Sequence, residues 1–334
     1  PYKVFDSERK IARLPGPPYK FLDRITEIRC EPWKMVAGGE IVAQYDIPPD
    51  EWYFKSERQN SMPFAVLLEV ALQPCGWLAA YIGSALTSPV DLSFRNLGGK
   101  AILKRLVTPR DKMLEVHVKI TKVSSSAGMV VQEYLFDVFS EGQSIYKGET
   151  TFGFFTKEAL ANQIGVRGAS LQDVSHLNRK SQPIPTDPPF PDSFLRMLDL
   201  VEYLETKGGS KGLGYIRGTK QVDPSDWFFK AHFYQDPVTP GSLGLEAMVQ
   251  LMKVFATTIW PEATDFSPMI GEVPHIWLYR GQVIPHNKIV VVEVDITRRD
   301  DDTGLLVANG KLAVDGIIIY EMRDFRLKVN RRGT

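Results

Sequence analysis

The feature that most constrains this chain is an internal repeat spanning about half its length. Ile47-Pro48-Pro49-Asp50-Glu51-Trp52-Tyr53-Phe54-Lys55 overlays Val222-Asp223-Pro224-Ser225-Asp226-Trp227-Phe228-Phe229-Lys230, and Leu67-Leu68-Glu69-Val70-Ala71-Leu72-Gln73 overlays Gly244-Leu245-Glu246-Ala247-Met248-Val249-Gln250. VHVKITK at 116–122 then meets VEVDITR at 292–298, and Glu141-Gly142 with Tyr146 meets Asp315-Gly316 with Tyr320, at offsets held between 174 and 177 residues. A fixed period of this size turns one unknown fold into two copies of a smaller one. The 334 residues also exceed what one compact core usually encloses. Residues 1–155 and 188–334 are therefore read as equivalent units. The stretch 156–187, polar and ending in Pro183-Ile184-Pro185-Thr186-Asp187-Pro188-Pro189, is read as an extended, semi-rigid linker.

Each unit carries one long run that is apolar on nearly all sides, 63–83 (PFAVLLEVALQPCGWLAAYIG) and 241–260 (GSLGLEAMVQLMKVFATTIW). Such a run predicts a helix buried by protein all round, and each opens at or just after a proline, which suits a helix start. Pro74 is expected to kink or shorten the first helix. Runs of alternating Val, Ile, Phe and Tyr follow, at 113–121, 129–139 and 145–155 and again at 289–297, 304–314 and 317–329, and these predict strands. The expected unit is a central helix wrapped by an antiparallel sheet.

Composition excludes more than it specifies. Forty Lys and Arg balance forty Asp and Glu, so no net charge points to nucleic acid or an anionic membrane. No apolar run is read as approaching the roughly 18 to 20 residues of a membrane span, and Pro1-Tyr2-Lys3 opens no apolar leader. The absent Met suggests a piece of a longer protein. Cys30 and Cys75 have no metal-type spacing, and a reducing cytoplasm is the expected setting. No Gly-rich phosphate loop follows a strand and no metal-ligand cluster is evident, so no metal is expected.

The stretch from His232 to Gln250 (HFYQDPVTPGSLGLEAMVQ) is the most informative. It has a His, then Asp236-Pro237-Val238, then Pro240-Gly241 eight and nine positions after the His, then Gly244-Leu245-Glu246-Ala247 with a carboxylate at fourteen. This pattern resembles the β-hydroxyacyl-ACP dehydratase family of the FabA type, and most resembles the paired dehydratase regions of polyunsaturated fatty acid synthases and related polyketide synthases. Trp227-Phe228-Phe229 and Arg280-Gly281-Gln282-Val283-Ile284-Pro285 are further landmarks of the resemblance. Glu246 stands where the FabA type has Asp. In the first unit the position of His232 is held by Glu57, the following loop is two residues shorter, and Phe64 stands where the family has glycine, while the carboxylate survives as Glu69.

The resemblance implies an α+β double hotdog: a first hotdog that is a pseudo-dehydratase lacking the catalytic His, and a second that is catalytic. Dehydration of a β-hydroxyacyl thioester needs a base at Cα, an acid for the departing hydroxyl and a holder for the carbonyl. His232 suits the base, because an unperturbed imidazole titrates near neutrality. A buried carboxyl suits the acid. The N–H of Gly241 at the helix start suits the carbonyl, the missing side chain leaving the thioester room. In dehydratases of this kind the His of one unit faces the carboxylate of the other, which implies His232 with Glu69, and Glu246 as second choice. Gln73 and Gln250 are expected to assist, and the mirror pair of Glu57 and Glu246 to be silent. Phe233, Leu245, Met248 and Phe255 are expected to line an acyl tunnel.

Implied partners are an acyl carrier protein and neighbouring synthase domains, with no nucleic acid and no membrane. The pair is an internal pseudo-dimer and could dimerise again. No cofactor is implied beyond the carrier's phosphopantetheine arm. The product would be a trans-2-enoyl thioester, with isomerisation to cis-3 left open. A hotdog thioesterase and a non-catalytic acyl-binding or scaffold module are the alternatives; the spacing of fourteen and the Pro-Gly pair oppose the first, and His232 opposes the second. His117, His176, His275 and His286 are read as surface or structural, Trp52 and Trp227 as packing residues, and Cys75 as core.

Overall fold

The computed structural model describes residues 10–331 apart from 127 and 162. In the first unit, β1 (Arg24–Arg29) and β2 (Glu40–Asp46) precede the short α1 (Trp52–Glu57) and the long α2 (Phe64–Tyr81). Then come β3 (Ser93–Leu103), β4 (Met113–Ser126), β5 (Met129–Ser140) and β6 (Gln143–Phe155). A short α3 (Lys157–Ala161) and β7 (Gln182–Pro183) belong to the linker. The second unit repeats the order with β8 (Leu200–Glu205), β9 (Tyr215–Gln221), α4 (Phe228–Ala231) and α5 (Gly241–Ile259). It continues with β10 (Ala263–Pro268), β11 (His275–Tyr279), β12 (Ile289–Asp300), β13 (Leu305–Val314) and β14 (Ile317–Arg331).

Strand order is β1-β2-β4-β5-β6-β3 in the first unit and β11-β14-β13-β12-β9-β8 in the second, the same topology run in opposite directions. The two sheets expected from the repeat are fused into one, because the edge strands β3 and β11 pair antiparallel, His275 opposite Ala101 and Leu278 opposite Gly98. Pairing two edges satisfies backbone groups that would otherwise stay open. Strand alternation turns Val292, Val294 and Ile296 of β12 inward, and they are buried. The fold is a double hotdog.

The two central helices pack against each other. Fifteen residues of α2 and fifteen of α5 are buried, which explains the absence of a polar face in either sequence. By length and composition α2 could cross a bilayer, so the reading that no run approaches that size fails for it; here the sheet encloses it. Nor does Pro74 shorten α2, which keeps 18 residues against 19 in α5. Packing on all sides outweighs the one backbone hydrogen bond that proline cannot make. The repeat partners Trp52 and Trp227 meet edge to face at 5.6 Å, which places the pseudo-twofold axis beside them.

The linker is a strap fastened across the outer face of the second unit. Val166 N–H donates to Ile318 of β14, Lys311 of β13 donates to the Ser170 carbonyl at 2.6 Å, and Gln172 N–H donates to Glu293 of β12 at 3.0 Å. Arg217 of β9 donates to both the Gln172 carbonyl and Glu293, and Lys180 N–H reaches Glu202 of β8 before β7 pairs with that strand. The strap thus crosses five strands in their sheet order.

Candidate active site

His232 caps the one-turn α4, and the loop after it folds back so that Val238 N–H donates to the His232 carbonyl at 2.8 Å. The ring Nδ1 lies 3.0 Å from the Val238 carbonyl. A carbonyl can only accept, so Nδ1 carries the proton and Nε2 holds the lone pair. Burial pushes the imidazole pKa down to about 3, which leaves the ring neutral at neutral pH.

Glu69, on α2 of the other unit, lines the same cavity as His232, a space of about 70 Å³ that also meets Gln73, Phe233 and Gly241. Burial pushes the Glu69 carboxyl above its usual range, and hydrogen bonds from Ser242 and Gln73 pull it partly back. The Ser242 hydroxyl donates to Oε1 at 2.7 Å and the Gln73 amide to Oε2 at 3.1 Å. Gln73 is itself fixed by Phe21 N–H and the Tyr19 carbonyl, while the Tyr19 hydroxyl lies 2.9 Å from Ser242 Oγ. Because Ser242 gives its own proton to Glu69, it accepts from Tyr19. Sequence reasoning missed Ser242 and Tyr19. The signal for Ser242 was available, since it follows Gly241 and its repeat partner is the apolar Ala65.

The room left by Gly241 is taken by a phenol. A Cβ there would stand 2.7 Å from Cζ of Tyr279, so glycine is required for the ring of Tyr279 to fit, rather than simply opening space for a ligand. At the cavity rim, Arg95 of β3 makes a bidentate pair with Asp236 of the His232 loop at 2.7 and 2.8 Å, and its Nε donates to Gln282 at 2.7 Å. Gln282 N–H in turn donates to Gln163 of the strap at 3.0 Å. First unit, second unit and linker therefore converge on one rim.

The remaining candidates are elsewhere. Glu246 and Gln250 do not line the His232 cavity. Gln250 repeats the role of Gln73, accepting from Met197 N–H at 2.9 Å and donating to the Leu195 carbonyl at 3.0 Å. Glu246 lies near Glu57 and Lys253, and burial first and the Glu57 charge second push its carboxyl up. Lys253, unremarked in the sequence, forms a fully buried ion pair with Glu57. Burial works against its charge, but Glu57 and Glu246 outweigh that and hold its pKa up. The repeat partner of Lys253 in α2 is Gly76.

Of the expected tunnel residues, Phe233 lines the His232 cavity, but Leu245, Met248 and Phe255 line neither it nor its neighbour. Met248 and Phe255 face the sheet instead, against Gly310 and Gly214. The neighbouring cavity shares Thr239 and Tyr320 with the first and runs between Phe228, Phe229, Leu243, Ala247, Val290 and Leu312.

The FabA-like domain family matches this chain twice, at residues 14–149 and 190–323, once over each hotdog. The chain belongs to the FabA-like family. It is 31% identical over 333 aligned positions to a polyunsaturated fatty acid synthase polypeptide of Thraustochytrium sp., an alignment covering 90% of this chain and 22% of that protein. The chain thus spans about a fifth of that relative's length. Among solved structures, the FabA-like pair is similar to one described as an oleoyl thioesterase from Lactobacillus plantarum (10% identity, 87% of this chain and 97% of that one, TM-score 0.52). It is also similar to the tesB protein of Mycobacterium avium subsp. paratuberculosis (11% identity, 91% and 96%, TM-score 0.51). At such identities the likeness concerns the fold, which hosts more than one thioester chemistry.

Proposed function

We propose that this FabA-like pair dehydrates β-hydroxyacyl thioesters presented on the phosphopantetheine arm of an acyl carrier protein, at one site assembled from both hotdogs. The observation that carries the reading is that His232 of the second unit and Glu69 of the first line one cavity while Glu246 does not. His232 Nε2 takes the proton from Cα, and its electron pair moves toward the thioester carbonyl, held at the N-terminus of α5 where helix N–H groups lack intrahelical partners. The Cβ–O bond then breaks as Glu69 gives its proton to the departing hydroxyl. The products are water and a trans-2-enoyl thioester. The cavity suits the reacting carbons and carbonyl, and the apolar space beyond Thr239 and Tyr320 suits the acyl chain. In the opposite half Glu57 replaces the base and is bound by Lys253, so one working site per chain is expected.

The test is an assay with a β-hydroxyacyl carrier protein or its N-acetylcysteamine surrogate. Wild type should lose water and form the enoyl thioester; thioester hydrolysis, or no reaction, overturns the reading. Glu69→Gln should reduce turnover by about 10²-fold or more, and Glu246→Gln by no more than a few-fold. Full activity in Glu69→Gln would remove the cross-unit assignment.

A further inference from the structure

The hydroxyl of Tyr279 is buried and lacks a hydrogen-bond partner among the described residues. A buried donor left unpaired costs free energy, and a native fold that keeps one calls for an explanation. Its position offers one. Tyr279 lines the cavity of His232 and Glu69, and its oxygen stands 3.0 Å from where a Cβ on Gly241 would lie, directly over the first residue of α5. That helix start has no side-chain cap, and Gly241 and Tyr279 both border the same cavity.

The repeat supplies a control. Where the second unit has Gly241 with Tyr279, the first has Phe64 with Leu103. Phe64 instead packs edge-on against His275 at 5.2 Å. The glycine and the hydroxyl are therefore present together at the end that has a histidine base, and absent together at the end that has lost it.

We infer that Tyr279 is a further catalytic residue, whose hydroxyl joins the Gly241 N–H in donating to the thioester carbonyl oxygen as negative charge develops there. This rests on the dehydration reading above. When His232 takes the Cα proton, the electron pair of the broken C–H bond spreads onto the carbonyl oxygen. Two fixed donors hold that charge until the Cβ–O bond breaks and the pair returns to form the new double bond. Tyr279 remains protonated throughout, because burial keeps its hydroxyl far from ionisation. Edge-on packing against Tyr320, with centroids 4.6 Å apart, fixes the ring, so the donor needs no reorientation.

Tyr279→Phe in the whole chain tests this on a β-hydroxyacyl-N-acetylcysteamine thioester. The expected result is a kcat about 10²-fold lower with KM changed no more than a few-fold, as for loss of one oxyanion donor. The melting temperature should be equal or higher, because an unpaired buried hydroxyl has been removed. A kcat within twofold of wild type overturns the assignment. A second measurement needs no turnover: the infrared carbonyl stretch of a bound, 13C-labelled enoyl-N-acetylcysteamine thioester should be lowered by wild type and less so by Tyr279→Phe. An equal shift in both proteins overturns the role of Tyr279. A wild type that binds the enoyl thioester but turns over no β-hydroxy substrate overturns the dehydration reading instead.

Discussion

Lys253 and Glu57 form a fully buried ion pair between the two units, at the end of the interface where Glu57 stands at the repeat position of His232. Removing one member of such a pair leaves the other's charge in a medium that solvates it poorly. Lys253→Met alone should destabilise the fold by about 3–5 kcal/mol, and Lys253→Met with Glu57→Leu should recover most of that loss. Urea unfolding midpoints measure both, and dehydration by the double variant should stay near wild type because neither residue lines the His232 cavity.

Ser242 stabilises the charged form of Glu69, so its hydroxyl lowers a carboxyl pKa that burial raises. Ser242→Ala removes the lowering influence, and the acid should hold its proton to higher pH. The alkaline limb of the kcat/KM profile, set by loss of that proton, is expected to move upward. Movement downward, or none, would show that Glu69 does not set that limb.

Arg95 bears on His232 in two ways. Its pair with Asp236 anchors the loop carrying His232, and its charge lowers the imidazole pKa, whereas Asp236 raises it. Arg95→Met leaves the Asp236 carboxylate unopposed, so the acid limb of kcat/KM should shift to higher pH while kcat/KM falls. Arg95→Lys should restore the position of that limb but not the full rate, because an ammonium cannot make the bidentate contact.

Proteolysis reports how firmly the strap is held. Glu293 receives Gln172 N–H and holds Arg217, which binds the Gln172 carbonyl, all on the outer face of the second sheet. Glu293→Ala should loosen the strap locally and speed limited proteolysis within 156–187, and it should also lower the melting temperature, because it leaves the largely buried Arg217 charge without its partner. Equal cleavage rates would mean that the other fastenings hold the strap without it.

The sequence made some parts of this molecule legible and hid others for physical reasons. Both central helices were read to within a few residues because they are apolar all round, and β4, β5, β6, β12, β13 and β14 because alternation marks a sheet with one buried face; β3, with Gly98 and Gly99 inside it, was not. β1 escaped notice because nearly all of its residues are exposed, and β9 because Arg217 is buried within it. The same all-round apolarity that revealed α5 concealed which of its faces meets a cavity, and Leu245, Met248 and Phe255, expected along an acyl tunnel, border neither of the two cavities. Ser242, Arg95 and Lys253 could not be paired from sequence, since their partners lie 173, 141 and 196 residues away. That His232 and Glu69 would border one cavity was expected from family resemblance and not from any local pattern.

The strap between the hotdogs changes what mutation can do to such a pair. When two identical subunits assemble, any substitution appears at both symmetry-related sites, and a residue needed at one cannot be given up at the other. Joined in a single polypeptide, each half drifts under its own constraints, so one end can acquire a buried ion pair as a structural anchor while its counterpart keeps a different set of residues.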